Sequence, residues 1–152
     1  IAWGILKRVE TWGEIPGLPE LFPHFGKPEA EGGFSFAFMN ANKLSNLESI
    51  QTRWGIFDQF VTHSKAFILE EIALLHPDVV ISMNMNWREC YEEALGFHYD
   101  EHADAGGNVA IHHLPDGTPF LDTYHFSSSK SPDANIYAPL VQALQNPLVN
   151  LW

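Results

Sequence analysis

Blocks of apolar residues recur along this chain, and their spacing distinguishes helices from strands. Over 64–77 the apolar side chains lie three or four positions apart, which is the period of an amphipathic helix. Ser64 is a suitable N-cap for this helix, and Pro77 would end it. The segments 87–97 and 131–145 have the same period and predict two further helices.

Strands are predicted where the apolar run is shorter and rich in aromatic or β-branched residues. The segments 34–40 and 78–84 are of this kind, and 108–126 reads as two short strands around the turn residues 115–117. Because strands alternate with helices, the sequence predicts a three-layer α/β/α fold with a mainly parallel central sheet. The strands at 34–40, 78–84 and about 119–125 are expected to run parallel.

Composition bounds the class of protein. Apolar residues make up 45% of the 152 residues, which is enough for the core of one domain over 1–152. Cys90 is the single cysteine, which excludes an internal disulfide and a four-cysteine metal centre. No apolar run approaches the ~20 residues that span a bilayer, so we expect a cytoplasmic protein without a membrane partner. The chain begins at Ile1 rather than Met, which suggests a processed or truncated product.

Polar residues follow the predicted strands, and they are the candidates for chemistry. They occupy 40–43, 82–86 and 124–129. In open α/β sheets the ligand site lies beyond the carboxyl ends of the strands. Asn and Ser also favour turns, but their concentration at three strand ends predicts a site there.

Three of these segments, taken in order, resemble the uracil-DNA glycosylase superfamily. The first is Asn40-Ala41-Asn42-Lys43, the second is "IALLHPDVVISMN" at 72–84, and the third is Thr123-Tyr124-His125-Phe126-Ser127. The resemblance covers about 34–145 and implies the fold of that family without a cofactor. Phe126 stands where the family usually has Pro, and Asn84 stands where it has Gly.

The resemblance also implies roles for individual residues. His125 would stabilise negative charge that develops on the base oxygen as the glycosidic bond breaks. Asn40 would read the amide edge of a flipped base, since its side chain offers a donor and an acceptor. Lys43, Asn84 and Ser127 would complete the substrate-binding loops. The partner would be DNA, or a nucleobase or nucleotide.

The water-positioning group of the family has one candidate in this sequence. The stretch "GEIPG" at 13–17 matches the form Gly-Glu-x-Pro-Gly and offers Glu14 as the carboxylate. The preceding residues carry charges that suit a buried strand poorly, so the alternative is that this motif is missing. A chain without it would bind a base without cutting.

Two observations favour functions other than DNA repair. The net charge of −11 opposes binding to DNA, which depends on Lys and Arg neutralising phosphates. The segment 97–107 places His98, Asp100 and His102 close together, and imidazole with carboxylate can hold a transition metal. The alternatives are therefore a non-catalytic nucleobase- or nucleotide-binding relative and a metal-dependent enzyme.

Overall fold

A computed structural model describes most of the chain. The described residues are 1–33, 36–40, 54–83, 95, 103–104, 108–126 and 131–152. The helices are α1 (Ala2–Leu6), α2 (Leu18–Leu21), α3 (Trp54–Leu75) and α4 (Ala138–Gln145), with a π-helical turn at Asp133–Tyr137 before α4. Short 3-10 turns occupy Trp12–Glu14, Phe22–His24 and Glu29–Glu31. The strands are β1 (Val80–Ser82), β2 (Ala103–Asp104), β3 (Val109–His113) and β4 (Pro119–Thr123).

The four strands form one small mixed sheet in the order β1-β4-β3-β2. Strands β1 and β4 are parallel, whereas β4 with β3 and β3 with β2 are antiparallel. A tight turn joins β3 to β4, and Gly117 takes a φ of 90° that favours glycine. The carboxylate of Asp116 accepts the Thr118 amide at 2.9 Å and fixes this turn.

The predicted three-layer fold with a mainly parallel sheet is wrong. Parallel neighbours need a crossover of a dozen or more residues, and the turn between β3 and β4 is far too short for one. Among the described strands, β1 and β4 form the one parallel pair. The strand predicted at 34–40 is also wrong for residues 36–40, which are irregular, with Phe36 and Phe38 exposed. In this segment phenylalanine alternates with small residues, a pattern that is also typical of a strand.

Helix α3 confirms the helix predicted at 64–77 and extends it towards the amino terminus. Ser64 is not an N-cap: it lies inside the helix and is buried. The helix ends at Leu75, where His76 takes a φ of 44° and its amide donates to the Ile72 carbonyl at 3.1 Å. The predicted helix at 87–97 lies outside the described residues, apart from Leu95.

The core is divided between the two faces of the sheet. On one face, here called the α4 face, Val109, Ile111 and Leu121 pack with α4 and the π-helical turn. On the other, called the α3 face, Phe120 packs with apolar residues of α3 that include Ile68. Residues alternate between the two faces along each strand because the side-chain period of a strand is two.

The amino-terminal segment packs against the α4 face. Ile5 of α1 belongs to the buried cluster there, and Trp12 meets the Tyr137 ring edge-on with centroids 5.6 Å apart. The Tyr137 hydroxyl donates to the Val9 carbonyl at 2.6 Å. A Cβ at Gly4 would collide with that hydroxyl oxygen, so this close approach requires glycine. Among the described residues, no helix has the length and apolar character to cross a membrane.

Candidate functional site

The carboxyl ends of β1 and β4 lie side by side at one edge of the sheet, here called the carboxyl edge. The pairing Val80–Phe120 to Ser82–Asp122 runs parallel, so Met83 and Tyr124 leave the sheet on the same side. This part of the predicted strand-end geometry is confirmed. Polar groups from several elements collect at this edge.

His125 follows β4 at the carboxyl edge and has an exposed side chain. Its neighbours Tyr124 and Phe126 are half-buried and pack against the α4-face core. Two anchored aromatic residues therefore hold the backbone on either side of an exposed imidazole. The two nitrogens of an imidazole can donate or accept hydrogen bonds.

Asn108 and Asn135 form a half-buried amide pair at the same edge. Val109 is paired with Thr123 at the end of β4, so Asn108 lies one residue beyond the sheet. The Asn108 Nδ2 donates to Asn135 Oδ1 at 3.5 Å, and the Asn108 carbonyl accepts the Thr123 hydroxyl at 3.2 Å. The pair brings together amide donors and acceptors next to the residues that precede His125.

The second member of this pair lies in the π-helical turn Asp133–Tyr137. The backbone N–H of Asn135 donates to the Ser131 carbonyl at 3.1 Å, which fixes the backbone at the start of the turn. Turns of π-helix inside α-helices occur frequently at functional sites, because the wider turn redirects side chains. Here the turn directly precedes the regular helix α4.

The α3 face buries three polar residues of the sheet. Ser82 and Asp122 are cross-strand partners at the last parallel rung, and Asp122 is 1% exposed. His112 is 2% exposed, and its ring lies 6.4 Å from that of Phe120. Within the described part of the chain, the buried Ser82 hydroxyl has no hydrogen-bond partner. Burying such polar groups costs free energy unless hydrogen bonds satisfy them.

The predicted site residues are distributed unevenly over the molecule. His125 lies at the carboxyl edge, whereas Asn40 is exposed on an irregular segment rather than at the end of a buried strand. Several candidates lie outside the described residues, namely Lys43, Asn84, Ser127, His98, Asp100 and His102.

Glu14 lies in the 3-10 turn Trp12–Glu14, within electrostatic range of Tyr137. Burial, and secondarily the negative charge of Glu14, raise the pKa of Tyr137 to about 12. Glu14 is exposed, and its negative charge contributes to the raised pKa of Tyr137. Its assignment as the water-positioning carboxylate stays a prediction.

Sequence reasoning missed three residues at the carboxyl edge. A signal exists for Asp122, since a charged residue two positions after Phe120 must share its face of the strand. Asn108 and Asn135 give no such signal, because they are 27 positions apart and meet only in the folded chain.

The described residues contain no group of three or more His, Cys, Asp or Glu side chains placed to hold a metal ion. The chain matches no family model, no curated protein and no solved structure.

Proposed function

We propose that this chain binds a nucleobase, free or as part of a nucleoside or nucleotide, at the carboxyl edge of β1 and β4. The observation that carries the proposal is that His125 follows β4, and Asn108 with its partner Asn135 precedes β3, at the edge where the parallel strands β1 and β4 end. In open α/β sheets, ligands bind beyond the carboxyl ends of parallel strands, and β1 and β4 are the parallel pair among the described strands of this mixed sheet. A base is a planar ring with hydrogen-bonding edges, and amides with an imidazole complement those edges.

The charge of the protein favours a small ligand over a DNA strand. With a net charge of −11, a polyanion would be repelled unless basic residues surrounded the site. A neutral base or nucleoside escapes this repulsion.

In this proposal, His125 acts on a carbonyl oxygen of the bound base. An imidazole that donates a hydrogen bond to that oxygen would hold the ligand, and it would hold it more strongly as negative charge develops there. Hydrolysis of an N-glycosidic bond is the reaction that the resemblance of "TYHFS" implies for such a group. Binding and hydrolysis are separable, and binding is the function proposed first.

The binding experiment titrates uracil, uridine, uridine monophosphate and a uracil-containing single strand into the protein, with calorimetry as the measurement. We expect the neutral ligands to bind more tightly than the strand at moderate salt. His125→Ala should weaken uridine binding about 10-fold, the effect of losing one good hydrogen bond. His63→Ala, at an exposed histidine of α3, is the matched control and should change nothing. The proposal is wrong if none of these ligands binds, or if both histidine variants behave alike.

The hydrolysis experiment measures release of free uracil from the same single strand with a chelator present, which excludes a metal-dependent route. If wild type releases the base, His125→Ala should lower kcat by about 10²–10³-fold through loss of one charge-stabilising donor. Binding without release would identify the chain as a non-catalytic nucleobase-binding protein.

A further inference from the structure

The amino-terminal segment exposes three large apolar side chains close together. Leu18 is 65% exposed, Phe22 62% and Phe25 41%. Leu18 begins α2, Phe22 begins the 3-10 turn that follows α2 directly, and Phe25 comes after that turn. Side chains four positions apart on a helix lie on the same face, and the rings of Phe22 and Phe25 have centroids 6.0 Å apart. These three residues are here called the amino-terminal ridge.

The ridge is fixed by its own backbone. Pro19 and Pro23 lie in the first turn of α2 and of the 3-10 turn, where their rings restrict φ. The backbone N–H of Phe25 donates to the Phe22 carbonyl at 3.2 Å. Leu21 is 7% exposed, so α2 is attached to the rest of the protein through a buried side chain. A surface that is ordered before binding loses less conformational entropy when a partner docks.

The charges around the ridge are mostly negative. Over 10–31 the chain has glutamate at five positions, and Lys27 is the one Lys or Arg of that stretch. Four of these glutamates have exposed side chains, namely Glu10, Glu14, Glu20 and Glu31. Lys7 and Arg8 precede the stretch, and the Lys7 ammonium donates to the Gly33 carbonyl at 3.2 Å. The segment therefore combines exposed apolar side chains with carboxylates.

We infer that the amino-terminal ridge is a docking surface for a basic amphipathic helix of another protein. The apolar side chains of such a helix would cover Leu18, Phe22 and Phe25, and its lysines and arginines would lie against the surrounding glutamates. A second copy of this chain would bring like charges together, and an anionic lipid surface would meet the same repulsion. The ridge contains none of the residues of the proposed nucleobase site, so the two proposals stand or fall separately.

The probe is a dye-labelled synthetic peptide of leucine and lysine with leucines at helical spacing, about 18 residues long to allow about five turns. Fluorescence anisotropy measures its binding to the whole chain at about 0.15 M salt, where long-range attraction is largely screened. One control peptide has the same composition in scrambled order, and a second has glutamate in place of every lysine. The amphipathic lysine peptide should bind at least about 10-fold more tightly than either control.

Phe22→Ala tests the apolar part of the ridge and should weaken binding of the lysine peptide at least about 10-fold, because a central aromatic contact is lost. Leu74→Ala is the matched control, since Leu74 is 74% exposed on α3, and it should leave binding unchanged. Glu20→Lys tests the charge and should weaken the lysine peptide while strengthening the glutamate peptide. Its control is Glu70→Lys, at an exposed glutamate of α3, which should have the smaller effect on both peptides.

Three results would overturn the inference. The first is equal binding of the amphipathic and scrambled peptides, which would show attraction by the net charge of −11 alone. The second is an equal effect of Phe22→Ala and Leu74→Ala, or of the two lysine variants. The third is a different occupant: sedimentation of the protein alone would reveal a dimer that Phe22→Ala abolishes, or phosphatidylcholine vesicles would retain wild type but not Phe22→Ala.

Discussion

The two faces of the sheet treat polar groups in opposite ways. On the α4 face the buried cluster is apolar apart from the hydroxyl of Tyr137, and the buried hydroxyls of Tyr137 and Thr123 both donate to backbone carbonyls. The α3 face buries Ser82, His112 and Asp122 in the sheet, close to a smaller apolar cluster. The desolvation of such residues has to be offset by partners before they add to stability. We therefore expect the α4 face to contribute more to stability than the α3 face.

Helix α4 explains why the α4 face packs so completely. Its buried side chains face Val109, Ile111 and Leu121, which alternate on β3 and β4 with residues of the other face. The amino-terminal segment covers the same cluster through Ile5 and is fixed by Tyr137. Sheet, helix and amino-terminal segment therefore share one core.

The largest effect is expected from truncating the α4-face core. Leu140 is 0% exposed, and Leu140→Ala should lower the free energy of unfolding by about 3–4 kcal/mol, from lost burial and the cavity left behind. Ile72 on the α3 face is 6% exposed and lies near the end of α3, where the helix can relax. Ile72→Ala should therefore cost less, about 2 kcal/mol. Urea unfolding monitored by circular dichroism measures both.

Leu74→Ala is the control for this pair, since Leu74 is 74% exposed on α3 and should change stability by less than about 0.5 kcal/mol. A larger loss from Ile72→Ala than from Leu140→Ala would contradict the assignment of stability to the α4 face.

The sequence could predict the elements that depend on local patterns, but not the contacts between distant segments. Helix α3, the turn at Asp116–Gly117 and the final helix follow from local periodicity and turn chemistry, and all three are observed. The mainly parallel sheet was mispredicted, although β1 and β4 are parallel as expected, because pairing depends on which strands meet and on the length of the connection between them. The buried position of Asp122 follows from alternation once its strand is known. The contact of Asn108 with Asn135 could not be predicted, because no local pattern links residues 27 positions apart.

A pH-dependent effect is expected from Tyr137. Burial, followed by the charge of Glu14, raises its pKa from 10.0 to about 12, so the folded state holds this proton more tightly than the unfolded state. The resulting stabilisation is complete below pH 10 and is lost as the pH rises towards 12. Tyr137→Phe should lower the free energy of unfolding by about 1–2 kcal/mol near neutral pH, because the Val9 carbonyl loses its donor.

The measurement compares unfolding free energies of wild type and Tyr137→Phe at about pH 8 and about pH 11. The difference between the two proteins should shrink at the higher pH. Tyr124→Phe, at a half-buried tyrosine outside this hydrogen bond, is the control. An unchanged difference would mean that the proton of Tyr137 is not linked to folding.

The smallest and sharpest test compares one hydroxyl from each face. Thr123 is 0% exposed on the α4 face and donates to the Asn108 carbonyl at 3.2 Å, so Thr123→Val removes a satisfied bond while keeping the shape of the side chain. Thr123→Val should lower the free energy of unfolding by about 1 kcal/mol.

Ser82 is 9% exposed on the α3 face, and its hydroxyl has no partner among the described residues. Ser82→Ala should therefore be neutral or stabilising by up to about 1 kcal/mol, since a buried donor without a partner opposes folding. The two substitutions each delete one hydroxyl near the end of a strand at the same edge, so urea unfolding under identical conditions isolates the hydrogen bond. If Ser82→Ala proves the more destabilising of the two, the α3 face uses that hydroxyl for stability and the contrast between the faces is wrong.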